Sequence, residues 1–296
     1  MILKRLERLL LPVLTAASAI GVYFISPLGD PTFPAKAFSL QGTTTPRTFA
    51  DWCLNKNNLS IETLHTVDVL LQETGTTDCH QASELLSART ELNLIGNQIA
   101  DLKPLSTLTN LTNLGLANNQ IADLKPLSTL TNLTKLSLRD NQIADLKPLS
   151  TLTSLSVLWL HNNQIADLKP LSTLTNLSVL SLYNNQIADL KPLSTLTNLT
   201  NLGLENNQIA NLKPLSTLTN LTNLGLANNQ IADIKPLSTL TNLSALSLNN
   251  NQIADLKPLS TLTNLTELYI GNNPSLTDKT CPVKPESICG FVPFPI

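Results

Sequence analysis

The chain has little of the residue types on which most enzymes and nucleic-acid-binding proteins depend. Its 296 residues include three His and ten Gly, and 14% of them are charged, against about 25% in an average globular domain. The formal net charge is −2, so no basic excess points to nucleic acid. With so few His and Gly residues, the sequence does not favour a histidine-based catalytic centre or a glycine-rich phosphate-binding loop. We therefore expect a protein that is not an enzyme, with no cofactor, no metal site and no nucleic-acid partner.

Long hydrophobic runs are also scarce, and the only one lies near the N-terminus. An apolar stretch from Leu9 to Ile25 follows a basic start over residues 1–8 and precedes the small-x-small sequence Ala35-Lys36-Ala37. This layout predicts a signal peptide over residues 1–37, cleaved after Ala37. Cleavage after Ala19 is one alternative, and an uncleaved membrane anchor is another. In each case we expect the rest of the chain to be secreted, periplasmic or at the cell surface.

What the chain has in excess is leucine, with 64 residues, and asparagine, with 32. One Asn recurs with a constant spacing of 22 residues, and we call this column the ladder Asn: Asn97, Asn119, Asn141, Asn163, Asn185, Asn207, Asn229, Asn251 and Asn273. One unit, from Leu111 to Thr131, reads LTNLGLANNQIADLKPLSTLT. Self-similarity at a fixed period of this size is the signature of a stacked repeat protein.

Each unit can be read as a short strand followed by a turn and a return segment. Leu114 and Leu116 alternate with polar or small residues, which predicts a strand with one buried face. The amide of Asn119 can bond backbone groups of its own and the neighbouring turn. The return segment carries Leu at about three-residue spacing and is interrupted by Pro126, which favours a 3₁₀ or irregular segment over an α-helix. The repeated Asp-x-Lys sequence predicts interleaved charge ladders, with calcium binding as the alternative.

The repeat pattern L-x-x-L-x-L-x-x-N-x-I-x-D-L-x-P-L resembles that of the leucine-rich repeat family over residues 92–273, with nine strand signatures. Its ADLKPLS form most resembles the internalin-type repeats of bacterial surface proteins, and its Cys-containing flanks resemble secreted cyanobacterial members. The resemblance implies an α/β solenoid, a horseshoe with a parallel β-sheet on the concave face and a 3₁₀ or irregular convex side. It also implies an adhesive or receptor-binding module. We assign the repeats to residues 89–273.

The ends of such a stack need caps, because each terminal unit would otherwise expose its apolar face. Residues 47–88 are expected to form a helical N-terminal cap. Within it, helical spacing extends from Ser60, placed as N-cap, to Gly75, placed as the stop, and a second short helix is expected from Asp78 to Ser87. Trp52 is expected to pack on the first repeat. Residues 38–46 are predicted to be a flexible leader, and residues 274–296 an extended C-terminal cap.

Four cysteines flank the repeats, with none inside them. In an oxidising compartment four Cys allow three pairings. Because about 200 residues of repeat separate the two flanks, we pair Cys53 with Cys79 and Cys281 with Cys289. A zinc site is the alternative, but it would need all four ligands together, which the intervening rod opposes.

The exposed positions of the repeat differ in how much they vary between copies. The Gln that follows the first eight ladder Asn residues, from Gln98 to Gln252, and the Lys column from Lys103 to Lys257 are constant, whereas the positions two, four and six residues before the ladder Asn vary widely. Period-two alternation places these variable columns on the solvent side of the sheet. Strands about 4.8 Å apart bring one variable set together as a predicted concave patch: Lys135, Arg139, Val157, Trp159, His161, Val179, Tyr183 and Glu205.

Trp, Tyr and Arg are the residues that most often anchor protein interfaces. The concave patch therefore predicts binding of a protein partner of unknown identity, without catalysis. Repeat duplication followed by drift would explain the variation without a function. An envelope-associated polysaccharide-binding or structural role is a second alternative, since Trp159 and Tyr183 could stack on sugar rings. An intracellular scaffold similar to phosphatase regulators is a third.

Overall fold

The computed structural model describes residues 48–291, and in it ten parallel strands form one open sheet in chain order. The strands are β1 Glu91–Asn93, β2 Asn113–Gly115, β3 Lys135–Ser137, β4 Val157–Trp159, β5 Val179–Ser181, β6 Asn201–Gly203, β7 Asn223–Gly225, β8 Ala245–Ser247, β9 Glu267–Tyr269 and β10 Cys289–Gly290. The predicted signal peptide and leader lie outside the described residues. In the part of the chain that is described, no helix is long and apolar enough to cross a membrane.

The strands confirm the period-two pattern of the sequence. In β2, Leu114 is buried between the half-exposed residues Asn113 and Gly115, and it is aligned with Leu136 of β3. Leu116, just beyond β2, is also fully buried, and its amide donates to the carbonyl of Ser137 at 2.8 Å. Each repeat thus contributes one row of buried leucines, and the rows stack into a single core.

The ladder Asn works as the sequence predicts. Asn119 Nδ2 donates to the carbonyl of Leu116 in its own repeat (3.0 Å) and to that of Leu94 in the preceding one (2.9 Å), while its Oδ1 accepts from the amide of Ile99 at 2.9 Å. The residue before each ladder Asn from Asn118 onwards has a φ between 53° and 56°. Asn or Asp occupies these positions because their side chains tolerate the left-handed conformation.

The return segments are 3₁₀ turns, as the internal proline predicts. Lys125–Thr129 is one of them, with Pro126 in its first turn and Leu127 buried. The predicted charge ladders are wrong: Asp123 Oδ1 instead accepts from the backbone amide of Lys125, the first residue of the 3₁₀ turn, at 2.8 Å. Within residues 48–291, the Asp101–Lys103 pair is the one member of this column that forms an ion pair. The carboxylates therefore satisfy backbone donors and have no need of the Lys side chains.

The N-terminal cap consists of α1 Phe49–Leu54, α2 Ile61–Thr74 and α3 Cys79–Ser87. Ser60 caps α2 by accepting from the amide of Thr63, and Gly75 ends α2 with a φ of 69°, both as predicted. The helix α1 was not predicted, although Thr48 and Asp51 form a capping box at its start. Trp52 of α1 is half-buried against the hydrophobic core.

Both predicted disulfides are present. Cys53–Cys79 joins α1 to the start of α3, and Cys281–Cys289 ties the C-terminal segment, so no described Cys is free for zinc. The C-terminal segment is more than the extended lid that the sequence predicts. Cys289–Gly290 adds β10 to the sheet, and the amide of Ile270 donates to the carbonyl of Gly290 at 2.9 Å. This strand pairs the edge that β9 would otherwise expose.

Candidate binding site on the concave face

Two shallow depressions lie on the concave face, and Tyr183 lines both of them. The first depression, about 780 Å³, extends from the N-terminal cap across β1–β4 and includes Arg139, Trp159 and His161. The second depression, about 350 Å³, extends across β5–β9 and includes Val179, Glu205 and Tyr269. Of the predicted concave patch, Lys135 and Val157 line neither. The patch that the sequence predicts as one surface is therefore divided at Tyr183.

The first depression has a half-buried indole, a half-buried phenol and a guanidinium on its surface. Trp159 is the last residue of β4, and Tyr183 follows β5 by two residues. Arg139 lies beyond β3 and keeps 41% of its side chain exposed, with Nη1 3.6 Å from Asp140 Oδ2. An exposed pair at this distance holds the guanidinium weakly, so Arg139 can still bind an external acceptor.

His161 was predicted to be an exposed member of the patch, and this is wrong, since it is 6% exposed. Its ring stacks on Tyr183 with 4.1 Å between ring centroids, and its Nδ1 lies 3.0 Å from Ser181 Oγ. The ring is buried by its contacts with Tyr183 and Ser181, since Arg139 and Glu205 at the equivalent position remain half-exposed after strands of the same length. Three small or polar residues in the same column, Ala117, Asn249 and Gly271, are also buried.

Burial also sets the charge of this histidine. Burial lowers the pKa of His161 and is the largest effect. The charge of Asp140 raises this pKa and that of Arg139 lowers it slightly, and the net pKa lies below the ordinary value. Around neutral pH the imidazole is therefore uncharged, which suits a ring stacked face to face on a tyrosine. His161 supports Tyr183 from below the surface, and its ring contributes little exposed area itself.

The N-terminal cap also contributes to the first depression, which the sequence does not predict. Glu73 of α2 and Arg89, which follows α3, line its rim. Arg89 Nη2 donates to the carbonyl of Glu73 at 2.6 Å, and Nη1 lies 3.6 Å from the carboxylate of the same residue. No sequence pattern marks this pair, because it depends on how the end of α2 meets β1.

The second depression is dominated by one carboxylate on a glycine floor. Glu205 lies over Gly225, where an added Cβ would be 1.8 Å from its Oε1, and beside Gly203, where a Cβ would be 3.2 Å from its Oε2. Burial raises the pKa of Glu205, and the nearby backbone amides of Glu205 and Leu204 offset part of this. Among the described residues, Oε2 is buried and has no hydrogen-bond partner.

The family model "Leucine Rich repeats (2 copies)" matches this chain at residues 90–129, 131–173, 175–217, 219–259 and 241–280. The chain belongs to the leucine-rich repeat family. Among solved structures, this leucine-rich repeat protein is similar to internalins, which identifies its repeats as internalin-type. A search of curated proteins found no match.

Three structural relatives illustrate the extent of the similarity. An internalin C2 (inlC2) from Listeria monocytogenes is 37% identical, with a TM-score of 0.64 over 68% of this chain and 90% of the relative. An internalin (inlF) from the same organism is 33% identical, with a TM-score of 0.60 over 70% and 68%. A leucine-rich repeat protein from Leptospira interrogans is 29% identical, with a TM-score of 0.52 over 66% and 56%.

The chemistry that the concave face of this leucine-rich repeat protein offers is recognition by contact. Both depressions are open and are lined by strand residues whose backbone is fixed by the sheet. Within residues 48–291, no group of three or more His, Cys, Asp or Glu is arranged to hold a metal ion. The groups on these two surfaces that can contact a ligand are aromatic rings, the guanidinium groups of Arg89 and Arg139, and the carboxylates of Glu73, Glu91 and Glu205.

Proposed function

We propose that this leucine-rich repeat protein is a secreted or cell-surface recognition module that binds a protein partner through the first depression and catalyses no reaction. The observation that carries the proposal is the grouping of Arg139, Trp159 and Tyr183 around one depression. Trp, Tyr and Arg are the residue types that dominate binding hot spots, because they bury large areas and add a directed polar contact.

Contrast with the rest of the face supports this assignment. In the column of strand residues aligned with Trp159, Ser181, Gly203, Gly225 and Ser247 follow in β5–β8, and Tyr269 stands in β9. Large anchors are therefore concentrated at one end of the sheet, while most of the other positions present small side chains. A partner would gain most of its contact energy from the anchors and use the remaining surface for fit.

Rigidity of the scaffold favours the same function. Trp159 lies in a three-residue strand that is hydrogen-bonded to strands on both sides, and Tyr183 is stacked on His161. Side chains held in place before binding lose less conformational entropy on association. The site is thus organised in advance of any partner.

The constant columns argue against drift as the sole source of the variation. The side chains of Gln120, Gln142 and Gln164 are exposed, and the equivalent Gln residues of the other copies are exposed as well. Drift after duplication would vary these positions as readily as the concave ones. The changes instead fall on the face that the proposal assigns to binding.

Secretion is proposed from the predicted signal peptide and from the two disulfides, which are typical of oxidising compartments. Fractionation of cells that express the full chain tests it. We expect the protein in the envelope or medium, with a mature N-terminus at Phe38. A protein found in the cytoplasm at full mass would contradict this part of the proposal.

Partner capture tests the recognition function. The chain and a Trp159→Ala/Tyr183→Ala variant are used to recover proteins from an envelope extract, with Gln252→Ala, an exposed residue that lines neither depression, as the control. We expect proteins that wild type and Gln252→Ala recover and that the double variant loses. Equal recovery by all three, or binding to a glycan array in place of any protein, would contradict the proposal.

A further inference from the structure

Glu205 is the one acidic side chain that lines the second depression. Its Oε1 and Oε2 both lie close enough to Gly225 to exclude a Cβ at that position, with 1.8 Å and 2.8 Å to an ideal Cβ. The carboxylate therefore lies flat on the sheet, in a space that exists because residue 225 has no side chain.

No described group neutralises this carboxylate. None of the five ion pairs within residues 48–291 includes Glu205, and its Oε2 is buried without a hydrogen-bond partner. The backbone amides of Glu205 and Leu204 offset only part of the cost of burying this carboxylate, and an external cation at this position would offset more of it.

The repeat itself does not require an acid here. The same position, two residues before the ladder Asn, is Ala117 and Ala227 in two other copies and Gly271 in a third, and the strand, turn and ladder Asn form in all of them. Glu205 is therefore an addition to the repeat scaffold at one place on the concave face.

The walls of the second depression suit an organic cation. Tyr183 and Tyr269 line it together with Val179 and Ala245. Tyrosine faces attract ammonium and guanidinium groups, and small apolar side chains accommodate the methylene stem of a basic side chain. The depression thus offers one negative charge within a mixed aromatic and apolar lining.

We propose that the second depression is a subsite for one basic side chain, lysine or arginine, of the protein partner, with Glu205 as its counter-charge. This inference rests on the proposed function, and it adds the chemistry of the partner. The first depression provides the aromatic anchors, and the second binds a positively charged side chain on the same surface of the partner. Tyr183 is common to both, so the two subsites are adjacent.

Short peptides test the subsite without the partner. The probes are acetyl-Gly-Lys-Gly-amide and acetyl-Gly-Arg-Gly-amide, with acetyl-Gly-Gln-Gly-amide as the neutral control, titrated into the chain labelled with ¹⁵N-glycine. Because the chain has ten glycines, the Gly203 and Gly225 amide signals can be followed individually. We expect saturable shifts of these two signals with the basic peptides and an affinity about tenfold lower for the neutral one.

Two variants isolate the carboxylate. Glu205→Gln removes the charge at nearly constant shape, and Gly225→Ala keeps the charge but displaces it; both should abolish the preference for basic peptides. Glu84→Gln, an exposed acid on α3 that lines neither depression, is the matched control and should retain it. An equal response of wild type to all three peptides, or an unchanged preference in Glu205→Gln, would overturn the inference. Because no partner is needed, this result is independent of the capture experiment.

Discussion

His161 and Tyr183 stack with their ring planes 16° apart, and this contact joins two neighbouring repeats beneath the concave surface. The imidazole is buried and Tyr183 is half-buried, so one aromatic supports the other. Because the support is an ionisable ring, the rigidity of the first depression is linked to pH.

Acidification is expected to destabilise this contact. The folded-state pKa of His161 is lowered below 6.5 by burial, so the unfolded chain binds more protons as the pH falls through and below 6.5. The stabilisation from neutral His161 is therefore present above pH 6.5 and is lost below it. Urea unfolding between pH 7.5 and 5 should show a smaller loss of stability in His161→Phe than in wild type. His65 and His80 are present in both proteins, so parallel pH profiles of the two would contradict the prediction.

The opposite sign is expected for Glu205. Its folded-state pKa is raised above 4.5 by burial, so the folded chain holds a proton that the unfolded chain has already lost, and stability falls as the pH rises through this window. Glu205→Gln should be more stable than wild type at pH 7 and close to it below pH 4.5. Glu267→Gln serves as the exposed control, with a change within about 0.5 kcal/mol in urea unfolding. A Glu205→Gln variant less stable than wild type at pH 7 would be inconsistent with this.

Loss of a single ladder Asn is expected to be severe. Asn185 Nδ2 donates to the carbonyls of Leu160 and Leu182, and its Oδ1 accepts from the amide of Ile165. Asn185→Ala leaves these buried groups unpaired, at about 1–3 kcal/mol for each that finds no water. Gln186→Ala, an exposed neighbour, should change the free energy of unfolding by less than about 0.5 kcal/mol. Similar effects of the two substitutions would refute the structural role of the ladder.

The two disulfides should differ in their contributions to stability. Cys53–Cys79 spans 26 residues and Cys281–Cys289 spans 8, so loop-closure entropy favours the first. Replacing both Cys by Ser is expected to cost about 3–4 kcal/mol for the N-terminal pair and about 2–3 kcal/mol for the C-terminal pair. Chemical unfolding of the two double variants measures this, and a larger loss at the C-terminal pair would contradict the ranking.

Much of the fold follows from the sequence because the same local physics recurs in every repeat. The spacing of Leu114 and Leu116 predicts a strand, Pro126 predicts a 3₁₀ turn, and Asn119 predicts the hydrogen bonds that it makes. The hydrogen bonds of the polar side chains on the convex side are harder to predict from the sequence. Thr129 Oγ1, for example, donates to the carbonyl of Ser106 one repeat earlier, a contact that requires the stack itself to be known.

The candidate site was only partly predictable, since it depends on contacts between side chains of neighbouring repeats. The sequence predicts that Arg139, Trp159 and Tyr183 lie close together, and all three line the first depression, but it places His161 on the surface. The stacking of His161 on Tyr183 and its contact with Ser181 bury this ring, and neither composition nor spacing reveals such contacts. The sequence also does not predict that Glu73 and Arg89 line the first depression. These residues belong to the N-terminal cap, and their position depends on how the cap packs against β1.

The central claim is that Arg139, Trp159 and Tyr183 anchor a protein partner, and the affinity of the captured partner for single variants tests it most directly. By calorimetry or surface-based binding, Trp159→Ala should raise the Kd at least about tenfold, as expected for a hot-spot aromatic, whereas Gln252→Ala, which lines neither depression, should leave it nearly unchanged. Circular dichroism is used to check that both variants are folded. An unchanged Kd for Trp159→Ala in a folded protein would contradict the account.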